Sequence, residues 1–121
     1  MYTVTIEASF KASHQLTFNN GKTEDRHDHD WHLKVGVQTE DLDENGLAVD
    51  FIYLNEKIEK ITGLLDNTEL ENLEFFQDIN ASAENVAKHV FDQLIPQIPP
   101  YSELAFVEVM EAPGCWAKYS R

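Results

Sequence analysis

The sequence predicts an α+β fold: a four-stranded antiparallel sheet with two helices packed on one face. Three observations carry this. Apolar and polar residues alternate near both ends of the chain, as strands buried on one side require. Between those stretches apolar residues recur every three or four positions, the stripe of an amphipathic helix. The two helical stretches stand together between the strand pairs, an order that fits one antiparallel sheet rather than repeated βαβ units.

In the first stretch, residues 2–11, Tyr2, Val4, Ile6, Ala8 and Phe10 share a face. Residues 15–26 are polar and contain Asn19-Asn20-Gly21, a turn signal, so they read as a loop. From 29 to 40, Trp31, Leu33, Val35 and Val37 alternate with His32, Lys34, Gly36 and Gln38, a second strand. Asp43-Glu44-Asn45-Gly46 is a hairpin-type turn into a short strand, Leu47 to Asp50. Phe51, Leu54, Ile58, Ile61 and Leu65 then form one helical stripe, weakened near its end by Gly63. The acidic stretch 66–80 reads as loop with a turn or two of helix. Ser82 is a natural N-cap for a second helix striped by Ala83, Val86, Ala87, Val90 and Leu94. Pro96, Pro99 and Pro100 end it. Two last strands, about 103–111 and 115–120, flank Ala112-Pro113-Gly114.

A chain of 121 residues with 42% hydrophobic content suits one folded domain, 1–121. It has no apolar run long enough to span a bilayer and opens directly on a strand pattern, without a leader. The single cysteine, Cys115, cannot close an internal disulfide. A cytoplasmic protein is expected. With 22 acidic and 9 basic residues the net charge is −13, which disfavours nucleic acid and anionic lipid as partners.

The chemistry centres on histidines. His27 and His29 are two apart, so in an extended strand both imidazoles point to one face. His14 joins that face if the first pleat continues to it. Three neutral imidazoles with an open fourth position are what a catalytic zinc ion uses. Solvated histidines in a polar loop are the plainer alternative. His32 falls on the opposite face, and His89 reads as an ordinary, partly exposed helical residue. Glu111 ends the alternation Ala105, Val107, Val109, where a carboxylate is costly to bury without donors. A strand-end Glu in water or in a salt bridge is its ordinary reading.

Phe10-Lys11-Ala12-Ser13-His14, His27-Asp28-His29 and Gly46-Leu47-Ala48-Val49-Asp50-Phe51 resemble the 6-pyruvoyl-tetrahydropterin synthase and 6-carboxytetrahydropterin synthase family. That pattern reads Phe-x-Ala-x-His, His-Gly-His and Gly-x-x-x-Asp-Phe, then Leu-Asp-His, Pro-Thr-x-Glu-Asn and a Glu on a late strand. The later pieces stand here as Leu65-Asp66-Asn67, Ala81-Ser82-Ala83-Glu84-Asn85 and Glu111. The resemblance implies the tunnelling fold, with subunits joined edge to edge into barrel-like trimers that commonly stack as hexamers. It implies zinc on His14, His27 and His29, and a reduced pterin whose amino and ring N–H groups meet Glu111. It places Ser82, Glu84 and Asn85 around the pterin pocket; a helix cap with an acidic first turn is their other role.

The chain also departs from that pattern. The catalytic cysteine, four residues before the first histidine of His-x-His, is Thr23, whose hydroxyl is a poor base. The histidine of Leu-Asp-His is Asn67, which cannot shuttle protons, while Asp66 is retained. Asp28 replaces the glycine between the histidines, and Ala81-Ser82 replaces Pro-Thr. One substitution favours activity: Glu24 gives Glu-x-x-His-x-His. The resemblance extends to a branch with Glu in this neighbourhood in place of the cysteine, which cleaves dihydroneopterin triphosphate toward 6-hydroxymethyl-dihydropterin. Glu24 is the expected base there; a loop carboxylate without special role is the alternative. Cys115 reads as a small buried residue. Three functions follow in order: a zinc-dependent pterin-side-chain synthase or lyase, a zinc- and pterin-binding relative that lost proton transfer, and a scaffold stabilised by zinc.

Overall fold

A computed structural model describes residues 1–121. Its elements are β1 (Tyr2–His14), β2 (His27–Thr39), α1 (Phe51–Leu65), β3 (Thr68–Glu69), α2 (Ala83–Leu94), β4 (Glu103–Ala112) and β5 (Cys115–Tyr119). They build one five-stranded sheet in the order β3-β1-β2-β4-β5. The four long strands are antiparallel, as the alternation predicts; the two-residue β3 adds a parallel edge beside Ala12 and Ser13. Both helices cover one face.

β1 continues past residue 11 to His14, and β2 begins at His27. The two pair without a break from Tyr2↔Thr39 to His14↔His27. Their inward residues, from Phe10 and Ala12 on β1 and from Trp31 to Val37 on β2, are buried in the core. Against them pack Leu54, Ile58 and Leu65 of α1 and Val86, Val90, Phe91 and Leu94 of α2. Phe51 of the expected stripe is exposed, since it begins the helix beyond the sheet's cover.

Caps fix the helix ends. Ile52 N–H donates to Asp50 Oδ1 (2.8 Å) at the start of α1. Asn85 N–H donates to Ser82 Oγ (3.2 Å) at the start of α2. The chain leaves α1 through Asn67, which takes a left-handed φ of 57°, a conformation asparagine tolerates.

Two local expectations are corrected, and that of loop with a turn or two of helix over 66–80 is met with a short strand added. No strand forms at Leu47–Asp50. Asp43 Oδ1 accepts from both Asn45 N (2.8 Å) and Leu47 N (2.9 Å), closing a tight loop, and Asp50 is committed to the α1 cap. The stretch 66–80 holds β3 and two short 3₁₀ turns, Leu70–Asn72 and Glu74–Phe76, which plug Leu70 and Phe76 into the core. Cys115 is exposed, because it opens β5 at the hairpin turn. No helix is long and apolar enough to cross a membrane.

Candidate metal and substrate site

Strand register assembles the three histidines. His14 faces His27 across the β1–β2 ladder and Ala12 faces His29, so His14, His27 and His29 share the pleat face at the mouth of the hairpin. Their ring centroids stand 5.5, 5.3 and 5.4 Å apart, a nearly equilateral triangle. Trp31 floors it, edge-on to His14 at 5.1 Å and to His29 at 5.9 Å. The indole N–H donates to the Ala12 carbonyl (3.1 Å), which fixes that floor.

The three are unequal. His14 is 2% exposed, and its Nδ1 lies 2.8 Å from the Ala81 carbonyl oxygen. A carbonyl only accepts, so Nδ1 carries the proton and Nε2 is aimed into the cluster. His29 is half-buried. Burial first, then the neighbouring His14 and His27, hold its imidazole below the ordinary value, with Glu111 and Asp28 opposing. It is thus kept in the neutral form that binds metals. His27 is exposed, and its Nε2 lies 3.2 Å from Glu24 Oε1.

Two carboxylates reach the triangle. Glu111 Oε1 stands 2.8 Å from His14 Nε2. Candidate ligand atoms of His14, His29 and Glu111 all lie within 4.8 Å of one another. This compact set includes Glu111 and leaves out His27, which leans toward Glu24. Glu111 continues the inward face of Val107 and Val109, and the pairing of Met110 with His32 brings it beside the histidines. Glu24 comes from the loop 15–26 and is held at three points. Leu16 N–H donates to its Oε1 (3.1 Å), Gln15 Nε2 donates to its carbonyl (2.9 Å), and its own N–H donates to the Leu16 carbonyl (3.0 Å).

The remaining predicted residues lie elsewhere. Asp66 makes its hydrogen bonds away from the three imidazoles: its Oδ1 accepts from Lys11 N (2.8 Å) and its Oδ2 from Asn67 Nδ2 (3.2 Å). Ser82 caps α2, and Glu84 is exposed in that helix's first turn. Thr23, at the cysteine position, bonds only Thr17 through its hydroxyl (3.2 Å). His89 is more enclosed than expected, with its ring against Phe75 and Phe76.

Sequence reasoning missed Asn80 and the Ala81 carbonyl. An asparagine just ahead of a helix cap was the one available signal, and its partner lies 63 positions away. Beside His29 a recess of about 540 Å³ is lined by Lys11, Ser13, Asp28, Asp30 and Glu69 among others. Its charge is mostly negative.

The donor set suits a divalent cation: three imidazoles on one face, one nitrogen fixed by a carbonyl so that the other is free, and carboxylates in reach. Fold and cluster together define a class, a helix-backed antiparallel sheet with a histidine triangle at the hairpin mouth. The family model described as 6-pyruvoyl tetrahydropterin synthase matches residues 3–121, and the chain belongs to that family. Its structure is similar to that of Caenorhabditis elegans 6-pyruvoyl tetrahydropterin synthase, with a TM-score of 0.83 at 25% identity over 100% of this chain and 97% of the other. The Plasmodium vivax 6-pyruvoyl tetrahydropterin synthase shares the fold, with a TM-score of 0.80 at 20% identity over 99% and 97%. Two further structures of that Plasmodium protein replace a glutamate, described as a catalytic residue, by Ala or Cys. No curated protein sequence matches the chain. The architecture is the tunnelling fold.

Proposed function

We propose that this chain is a zinc-dependent synthase or lyase acting on the side chain of a reduced pterin such as 7,8-dihydroneopterin triphosphate. The observation that carries the reading is the placement of Glu24 against His27 at the rim of the histidine triangle, in a chain of this family. His14, His27 and His29 would hold the metal. A divalent cation there supplies Lewis acidity, lowering the cost of removing a proton from carbon beside a bound oxygen. Glu24 accepts that proton in place of the missing cysteine; its backbone and side-chain anchors keep the carboxylate at the cluster's rim. That a relative in this fold has a catalytic glutamate supports the assignment. Glu111 accepts the paired N–H groups of the pterin ring, a fit for a bidentate carboxylate. Ser82 and Glu84 would meet the pterin from the start of α2, next to the Ala81 that fixes His14. Asp66 can share in the chemistry only across a subunit boundary, and it precedes β3, the sheet edge where an edge-to-edge neighbour in a homotrimer or homohexamer would join. The setting proposed is cytoplasmic.

A second reading has its own support. Thr23 and Asn67 occupy the positions of the family's proton-transfer pair, and neither side chain can do that work at neutral pH. This favours a non-catalytic relative that binds zinc and pterin. The deciding experiment incubates zinc-loaded protein with 7,8-dihydroneopterin triphosphate and reads products by mass spectrometry, beside Glu24→Gln. A pyruvoyl, carboxy or hydroxymethyl pterin that falls by about 100-fold or more in Glu24→Gln supports the enzyme and its base. Turnover that survives the substitution keeps the enzyme and discards Glu24. Bound but unchanged pterin selects the binding protein.

A further inference from the structure

One contact in the site is not accounted for by a carboxylate reserved for pterin. His14 Nδ1 donates to the Ala81 carbonyl, so in a neutral ring Nε2 offers only a lone pair. Yet Glu111 Oε1, another acceptor, stands 2.8 Å from it. Two acceptors approach that closely only with a cation or a proton between them. The candidate ligand atoms of His14, His29 and Glu111 all lie within 4.8 Å of one another, so one cation can reach all three. A metal ion there satisfies the lone pairs of both side chains. About half an ångström of side-chain movement opens the pair to the roughly 3.3 Å between two ligands of a tetrahedral zinc.

Resting on the zinc–pterin reading above, we propose that Glu111 is itself a ligand of the resting metal, fourth to the imidazoles, and leaves it to take the pterin ring. The two partners in this contact differ in freedom as this requires. His14 is locked by Ala81 and Trp31, whereas the Glu111 side chain is 27% exposed and sits at the strand's register break. Four protein ligands make a closed site, and three leave a position for substrate. Arrival of the ring therefore opens the coordination position that the substrate's side chain needs, and an empty protein keeps its metal capped.

The exchange predicts antagonism that a fixed anchor does not. The probe is oxidised 6-methylpterin, which has no side-chain oxygen to replace the lost ligand. In the intact protein, saturating zinc should weaken 6-methylpterin about tenfold, and 6-methylpterin should weaken zinc by the same factor, because linkage is reciprocal. Glu111→Gln, with its fold checked by circular dichroism, should bind zinc about tenfold more weakly in a chelator competition. Zinc affinity unchanged in Glu111→Gln, or 6-methylpterin affinity unaffected by zinc, overturns the proposal. If the unsubstituted protein binds no zinc, the underlying reading fails as well, and that failure appears before any variant is made. The wild-type antagonism does not depend on the variant folding.

Discussion

The side-chain amide of Asn80 pairs with both backbone groups of Thr17: Thr17 N–H donates to Asn80 Oδ1 (2.9 Å), and Asn80 Nδ2 donates to the Thr17 carbonyl (3.0 Å). The next residue, Ala81, fixes His14, and Asn85 Nδ2 donates to the Asn80 carbonyl (2.9 Å). One short segment before α2 thus sets both the most buried histidine and the loop that presents Glu24. Asn80→Ala should destabilise the fold by about 1–2 kcal/mol, two hydrogen bonds' net worth. Hydrogen exchange is the check: the Glu24 amide, bonded to the Leu16 carbonyl, should lose about tenfold or more of its protection while α2 keeps its own.

Zinc should stabilise the folded chain, because the triangle is preformed only in the fold. At free zinc 100 times its dissociation constant the gain is roughly 2.7 kcal/mol. Thermal melts with zinc and then with excess chelator should differ accordingly. In His14→Ala the two melts should coincide. A zinc-dependent gain that survives His14→Ala would place the metal elsewhere.

The alternation in β1, β2 and β4 was readable because each strand buries one face, and the α2 stripe because its cap and periodicity agree. The histidine triangle was readable for the same reason: His27 and His29 at i, i+2 and His14 at the strand end are set by the pleat itself. What stayed hidden depends on distant partners. Asn67's left-handed turn, not any periodicity, delivers β3 to the edge of β1. That Glu111 meets His14 itself depends on the β2–β4 register, which no local pattern in β4 discloses. Leu47–Asp50 reads as a strand by composition, but no neighbouring strand is there to pair with it.

His89 makes stability fall as the pH is lowered. Its Nδ1 is buried without a partner, and its ring lies 4.2 Å from Phe75 and 5.5 Å from Phe76 between centroids. Burial holds this imidazole below its ordinary value, with Asp92 opposing. The unfolded chain therefore binds more protons at this site once pH drops below about 6.5, and stability declines from there through the folded-state value. His89→Leu should remove that part of the slope. The difference between the two proteins' unfolding free energies should be flat above about pH 7.5 and change below about 6.5. At pH 8 the leucine variant should be as stable or about 1 kcal/mol more so, having lost an unsatisfied polar atom.

Gly36 is required by Phe106. The two residues face each other across the β2–β4 ladder, next to its register shift. A Cβ placed on Gly36 would lie 2.2 Å from Phe106 Cε1 and 2.6 Å from Cζ. That ring is held in turn by Lys118, whose Nζ stands 4.8 Å over its centroid. Gly36→Ala must therefore push the ring off its seat, at about 1–3 kcal/mol. The cost belongs to the pair rather than to the glycine's own freedom, since its backbone is ordinary strand. Phe106→Leu alone should cost less, and in its presence Gly36→Ala should lose most of its penalty. Urea unfolding of the four proteins measures the coupling directly. Additive costs would mean that the ring is not what Gly36 accommodates.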